Sequence, residues 1–153
     1  MVETAVRSGI KRKHRAGVAS WLHLVRVHSR IAQQERALLA GHGLTVAQFD
    51  VLSHLATVDG VSQTELASRL LVTKGNVGGL IDRLERDGLV ERQHDPEDRR
   101  SYCLYLTDAG RQAFEAAAPE LEALISEQFA ALAPGEQREF LRLLARLDRS
   151  LGR

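Results

Sequence analysis

Three carboxylates and two guanidiniums share the six residues Asp95, Pro96, Glu97, Asp98, Arg99 and Arg100. A guanidinium presents a planar fork of donors that fits phosphate oxygens, and a neighbouring carboxylate fixes the fork while giving up some of that attraction. Asp98, two residues before Arg100, is placed to do this. An arginine held so suits a narrow minor groove, whose negative potential is read through shape and not through base identity. A plainer description, a solvated charged turn, fits the same residues.

A second group lies upstream, in "TKGNVGGLIDRLERDG". At about 100° per residue, Val77, Leu80, Ile81 and Leu84 share one face of a helix. The opposite face carries Gly75, Gly79, Asp82 and Arg86, flanked by Asn76, Gly78 and Arg83. Glycines at 75, 78 and 79 should each cost roughly 1 kcal/mol relative to alanine, so something must make them tolerable. One reason is close approach to DNA: with no side chains there, the helix axis sits deep in a major groove. Lys74 and Asn76, just after the capping Thr73, then reach base edges or phosphates. The other reason is a neighbouring helix packed close.

Other chemistry is thinly represented. No P-loop, G-x-S-x-G or dinucleotide fingerprint occurs, so neither an enzyme nor a cofactor is expected. Cys103 is the single cysteine, which forbids an intramolecular disulfide or a cysteine-built zinc site. Within a strand it is expected to be a small buried residue and not a redox sensor. The six histidines (14, 23, 28, 42, 54, 94) contain no H-x-x-x-H pair. Asp50 and His54 stand one turn apart, the spacing of a helix-surface pair or of two shared ligands; no metal site is expected.

The elements that must position these groups are marked by their caps. Apolar residues recur at helical spacing from Val18 through Trp21, Leu22, Val25, Ile31, Ala32, Leu38 and Leu39, and Gly41 with Gly43 closes that helix. Thr45 with Gln48 and Ser62 with Glu65 have capping-box spacing, and the first box precedes Val46, Phe49, Leu52 and Ala56 as core residues. Thr73 caps the glycine-bearing helix, which ends at Gly88 in a left-handed conformation. Between Leu71 and Thr73 there is room only for a tight turn, a helix-turn-helix arrangement. "LVERQH" and "SYCLYLT" then alternate as two strands around the Pro96 turn, and a hairpin after a helix-turn-helix makes a winged helix. Thr107 caps a helix to about Leu132, "APG" interrupts at 133–135, and a last amphipathic helix carries Phe140, Leu141, Leu144 and Leu147. Long terminal helices have little of their own domain to cover, so they are expected to bury against a second copy.

The chain has 153 residues with a net charge of +1, 44% hydrophobic and 27% charged, enough for one domain with a real core. No run reaches the roughly 20 apolar residues of a membrane span and no leader pattern opens the chain, so a cytoplasmic protein is expected. Residues 1–40 hold eight Lys/Arg against Glu3 and Glu35, whereas 108–153 hold six basic against eight acidic. The basic start is either a solvated tail or a contact for pairing or DNA. Residues 62–100 hold seven basic and eight acidic side chains; net charge therefore does not announce a nucleic-acid partner, and position must do that work.

Taken together, "LTVAQFDVLSHLA", "TKGNVGGLIDRLERDGLVER" and "DPEDRRSYCLYLTDAG" resemble the MarR (multiple antibiotic resistance regulator) family of bacterial transcription factors, over about 18–151. The resemblance implies a mainly α fold with a small β-hairpin. It divides the chain into a flexible basic extension (1–17), dimerisation helices (18–40 and 108–153) and a winged-helix DNA-binding lobe (45–107). It also implies a homodimer on a roughly palindromic operator in double-stranded DNA, usually released when a small ligand or oxidant acts; the chain is expected to be a repressor. Carried over by motif, Asp98 and Arg100 are the wing's acid and minor-groove arginine, and Thr73 to Gly79 the recognition surface. With Arg83 and Arg99 added, these are the expected DNA contacts. Family members bind phenolic or other aromatic anions between the dimer helices and the lobe, where Trp21, His28 and Phe49 are the expected wall residues. The rival reading is a winged helix that docks a protein partner through its glycine face and binds no specific DNA.

Overall fold

A computed structural model of the chain describes residues 15–58, 60–70, 74–94 and 102–152, with the backbone alone for 15 and 74–76. Helix α1 (Arg15–Gly41) opens it. The helix closes as its glycines predict: Gly43 takes φ 71°, its N–H donates to the Ala40 carbonyl, and the Leu44 N–H reaches back to Leu39. Leu39 and Leu44 are both buried beneath this turn, the apolar contact that accompanies such a stop.

Helix α2 (Val46–Thr57) carries the capping box in full, Gln48 N–H on the Thr45 hydroxyl and Thr45 N–H on the Gln48 side chain. Its buried residues are Phe49, Val51, Leu52 and Leu55. The expected stripe of Val46, Phe49, Leu52 and Ala56 is thus too narrow: Val46 and Ala56 are only half-buried. The helix packs against both α1 and the later helices, so it is apolar around more than one face.

Ser62 does two jobs. With Val61 it forms a two-residue strand, β1, and its hydroxyl accepts from Glu65 N–H to cap α3 (Gln63–Arg69). The expected reciprocal half of that box is absent, because the Glu65 carboxylate accepts from Arg69 at 2.6 Å instead. Helix α4 (Lys74–Arg86) follows. Strands β2 (Val90–His94) and β3 (Tyr102–Leu106) pair antiparallel, Val90 opposite Leu106 and His94 opposite Tyr102. The sheet has three strands in the order β1-β3-β2, with Val61 opposite Leu104; the expected hairpin therefore gains a third strand.

Helix α5 (Asp108–Phe129) is capped by the Thr107 hydroxyl, which accepts from Gly110 N–H at 3.0 Å. It stops three residues before the expected Leu132, because Ala130 and Leu132 N–H groups bond three residues back and tighten the chain into a turn. Pro134 does not interrupt but begins α6 (Pro134–Leu151) at a first-turn position, where its missing donor is harmless. The core lies in the lobe formed by α2, α3, α4 and the sheet, with Leu52, Leu55, Leu66, Val77, Ile81, Leu84, Val90 and Leu104 almost fully buried. Against this, α6 has no buried residue and Trp21, Leu24, Val25 and Val27 of α1 are exposed.

Candidate nucleic-acid interface

Helix α4 is seated by one face and free on the other. Val77, Leu80, Ile81 and Leu84 are all buried, as their period requires. Gly79, Asp82, Arg83 and Arg86 are exposed. A methyl group added at Gly79 would meet nothing within 4 Å, whereas one at Gly78 would lie 3.2 Å from the Gln63 amide of α3. The two glycines thus differ: Gly78 is neighboured only by the end of the Gln63 side chain, and Gly79 leaves bare surface. Arg83 lies along that bare surface, its Nε donating to the Gly79 carbonyl at 3.1 Å.

The C-terminal end of α4 is tied to the wing at one junction. Gly88 adopts φ 71° and Leu89 N–H returns to the Leu84 carbonyl, the left-handed stop read from "RDG". The Thr107 hydroxyl donates to the Gly88 carbonyl at 2.6 Å, and Thr107 N–H donates to Leu89 at 3.2 Å. Gly110 completes the joint: a methyl there would sit 1.9 Å from the Leu89 carbonyl oxygen. One residue that sequence reasoning missed also acts here. Arg92 of β2 donates to Asp82 at 2.5 Å and to Glu85 of α4, a bidentate tie between the helix and the wing. Burial works against its positive charge, but the hydrogen bond to Asp82 and the charges of Glu85 and Asp82 prevail and raise its pKa.

Thr73, Asp98, Arg99 and Arg100 lie outside the described residues; for Lys74, Gly75 and Asn76 the helical backbone is described. What is placed are the two strands that carry the wing turn, whose last facing pair, His94 and Tyr102, stack with ring centroids 4.5 Å apart.

The protein-family comparison matches residues 42–101 to the MarR family. An uncharacterised HTH-type transcriptional regulator of Bacillus subtilis, YkoM, is 38% identical over 103 residues, 67% of each chain. Among solved structures, the transcriptional repressor CouR bound to a 23-mer DNA duplex is 31% identical, with a TM-score of 0.78 over 92% of this chain and 99% of that one. AbsC of Streptomyces coelicolor, a MarR-family transcriptional regulator, gives 0.83 at 25% identity over 90% and 95%. The chain belongs to the MarR family. It is a DNA-binding transcriptional regulator with a winged-helix lobe.

The expected effector wall of this MarR-family chain is not brought together. Phe49 is core, 7% exposed with its ring 5.5 Å from Phe114. Trp21 is more than half exposed on α1. His28 alone lines an open groove of about 830 Å³ between α1 and the last two helices, with Leu24, Ile31, Phe140 and Leu144 along it. Across the groove the Gln128 amide donates to Gln34 at 2.8 Å, which leaves the Gln128 oxygen buried without a partner among the described residues. His42 at the end of α1 contacts Glu120 of α5 at 3.2 Å, a second tie between those helices.

Two smaller expectations are also corrected. Asp50 and His54 do not pair: the His54 Nε2 is buried with no hydrogen-bond partner among the described residues, and desolvation raises the Asp50 pKa. Cys103 is half-buried and not fully enclosed, because the adjacent Leu104 takes the core face of the strand and alternation turns Cys103 to the other. Among the described residues no group of three or more His, Cys, Asp or Glu is disposed to hold a metal, and no helix is long and apolar enough to cross a membrane.

Proposed function

We propose that this chain is a cytoplasmic repressor that binds an inverted-repeat operator as a homodimer and responds to a small aromatic or phenolic ligand. The observation that carries the DNA arm of the reading is the free stripe of α4: bare at Gly79, basic at Arg83 and Arg86, and fixed beside the wing. Lys74, Gly75 and Asn76 begin that helix and, with Thr73, meet base edges and phosphates in the major groove, with Gly78 at its flank. Asp98 orients Arg100, and with Arg99 the wing tip grips the backbone and minor groove alongside. The similarity to CouR, a repressor solved on a duplex, supports this arrangement.

The dimer arm rests on apolar surface. Trp21, Val25, Val27, Leu141, Leu143, Leu147 and Leu151 are each close to half exposed or more on α1 and α6, large apolar side chains that nothing among the described residues buries. Helices 18–40 and 108–153 of two copies would cover it and set two α4 helices about one DNA turn apart. The ligand arm is supported by the groove at His28, while Trp21 and Phe49 stand apart from it.

The test is a mobility shift against random duplex at rising salt. Affinity should fall steeply as counterions are released, and Arg100→Ala should weaken binding while the thermal midpoint stays within about 2 °C, as for a surface change. No shift at low salt would favour a protein-docking winged helix, and unchanged affinity for Arg100→Ala would remove the wing from the reading.

A further inference from the structure

Asp82 belongs to the outward stripe of α4 with Gly79 and Arg86, and Glu85 stands one turn along at its flank. Two carboxylates on the surface offered to a duplex should repel it. Both nevertheless accept from the single guanidinium of Arg92, which is on a different element and is itself only 23% exposed, against 60% for Asp82 and 41% for Glu85. Arg92 is therefore a mostly covered cation whose two terminal nitrogens each donate to an acid of α4.

We propose that Arg92 is a positioning residue for DNA binding: it does not grip the duplex but draws Asp82 and Glu85 sideways toward β2 and offsets half of their charge, leaving Gly79, Arg83 and Arg86 as the stripe the duplex meets. This rests on the groove-facing reading of α4. It explains how a segment with a formal excess of acid can still present a cationic face. The charge of Arg92 does not add to the phosphate contacts; it removes an obstacle to them. The geometry supports that role over a direct phosphate contact, because the Arg92 side chain is only 23% exposed and both of its terminal nitrogens are turned to carboxylates.

The experiment measures binding of a labelled duplex, recovered from a random pool by the wild-type protein, at several salt concentrations. Arg92→Gln should lose about tenfold or more at low salt, and the loss should narrow as salt screens the exposed carboxylates. The triple variant Arg92→Gln, Asp82→Asn, Glu85→Gln should recover to within about threefold of wild type. Asp82→Asn with Glu85→Gln, Arg92 being kept, should bind at least as tightly as wild type. If Arg92 instead touches phosphate, the triple variant stays weak and the logarithmic salt slope drops by about 0.9, which overturns the proposal. If the tie is only structural, the double acid variant loses binding and its thermal midpoint falls with that of Arg92→Gln, which overturns it too. Absence of any wild-type binding would overturn the DNA reading itself, a result distinct from both.

Discussion

Replacing Gly79 with alanine should move stability and affinity in opposite directions. Gly79 is inside α4, has no unusual backbone angle, and a methyl built on it meets nothing within 4 Å. Within the protein, alanine therefore gains helix propensity of about 1 kcal/mol with no steric term against it. For a chain of this length that corresponds to about 2–4 °C in thermal midpoint, measured at fixed protein concentration because the proposed dimerisation would also contribute. On DNA, in the groove-facing arrangement proposed for α4, the same methyl would fill the space through which the helix backbone approaches. Taking the low end of overpacking, about 1 kcal/mol per copy, two copies lose about 2 kcal/mol, or about 30-fold in affinity. Fluorescence anisotropy with a selected duplex reads this directly, beside calorimetry on the free protein. Gly78→Ala is the internal control, since its methyl meets only the end of the Gln63 side chain, 3.2 Å away, and should lose less. A Gly79→Ala protein that is more stable and binds as tightly as wild type would refute the argument.

Gly110→Ala should behave in the contrary way, because its methyl would lie 1.9 Å from backbone at Leu89. Overpacking and the strained Thr107 bonds should outweigh the propensity gain, for a net loss of about 2–3 kcal/mol in chemical denaturation; a neutral variant would mean the joint is loose. Leu141→Glu, at a side chain 68% exposed, should leave the folded protomer intact but shift sedimentation equilibrium toward monomer and weaken duplex binding. A dimer of unchanged strength would place the interface elsewhere.

What the sequence reveals here is chiefly what is local. Thr45 with Gln48, Thr107 before its helix, and Gly43 and Gly88 after theirs announce themselves because a cap and its backbone partner lie within a few residues. The seating of α4 is equally legible, since four apolar residues at helical spacing admit one orientation. Contacts across long stretches of chain are not. Strand β1 is two residues long and pairs with Leu104 and Cys103, more than forty positions on, so Ser62 reads only as a cap. Arg92 reads as one more polar residue of an alternating strand, its bonds to Asp82 and Glu85 being set by the angle between α4 and the wing. Phe49 shows the converse limit: an aromatic on a helix stripe looks the same in sequence whether it faces Phe114 or a ligand.

The joint at Gly88, Leu89, Thr107 and Gly110 has a mechanical meaning. It welds the end of α4 and the base of the wing to the first turn of α5, while the far end of α5 is bonded to α1 through Gln128 and Gln34. A helix of 22 residues is a lever about 33 Å long, so a tilt of about 5° at one end carries the other through about 3 Å. Anything that re-angles the distal end of this rod therefore swings helix and hairpin together, and in the proposed dimer would alter the separation of the two copies' recognition elements.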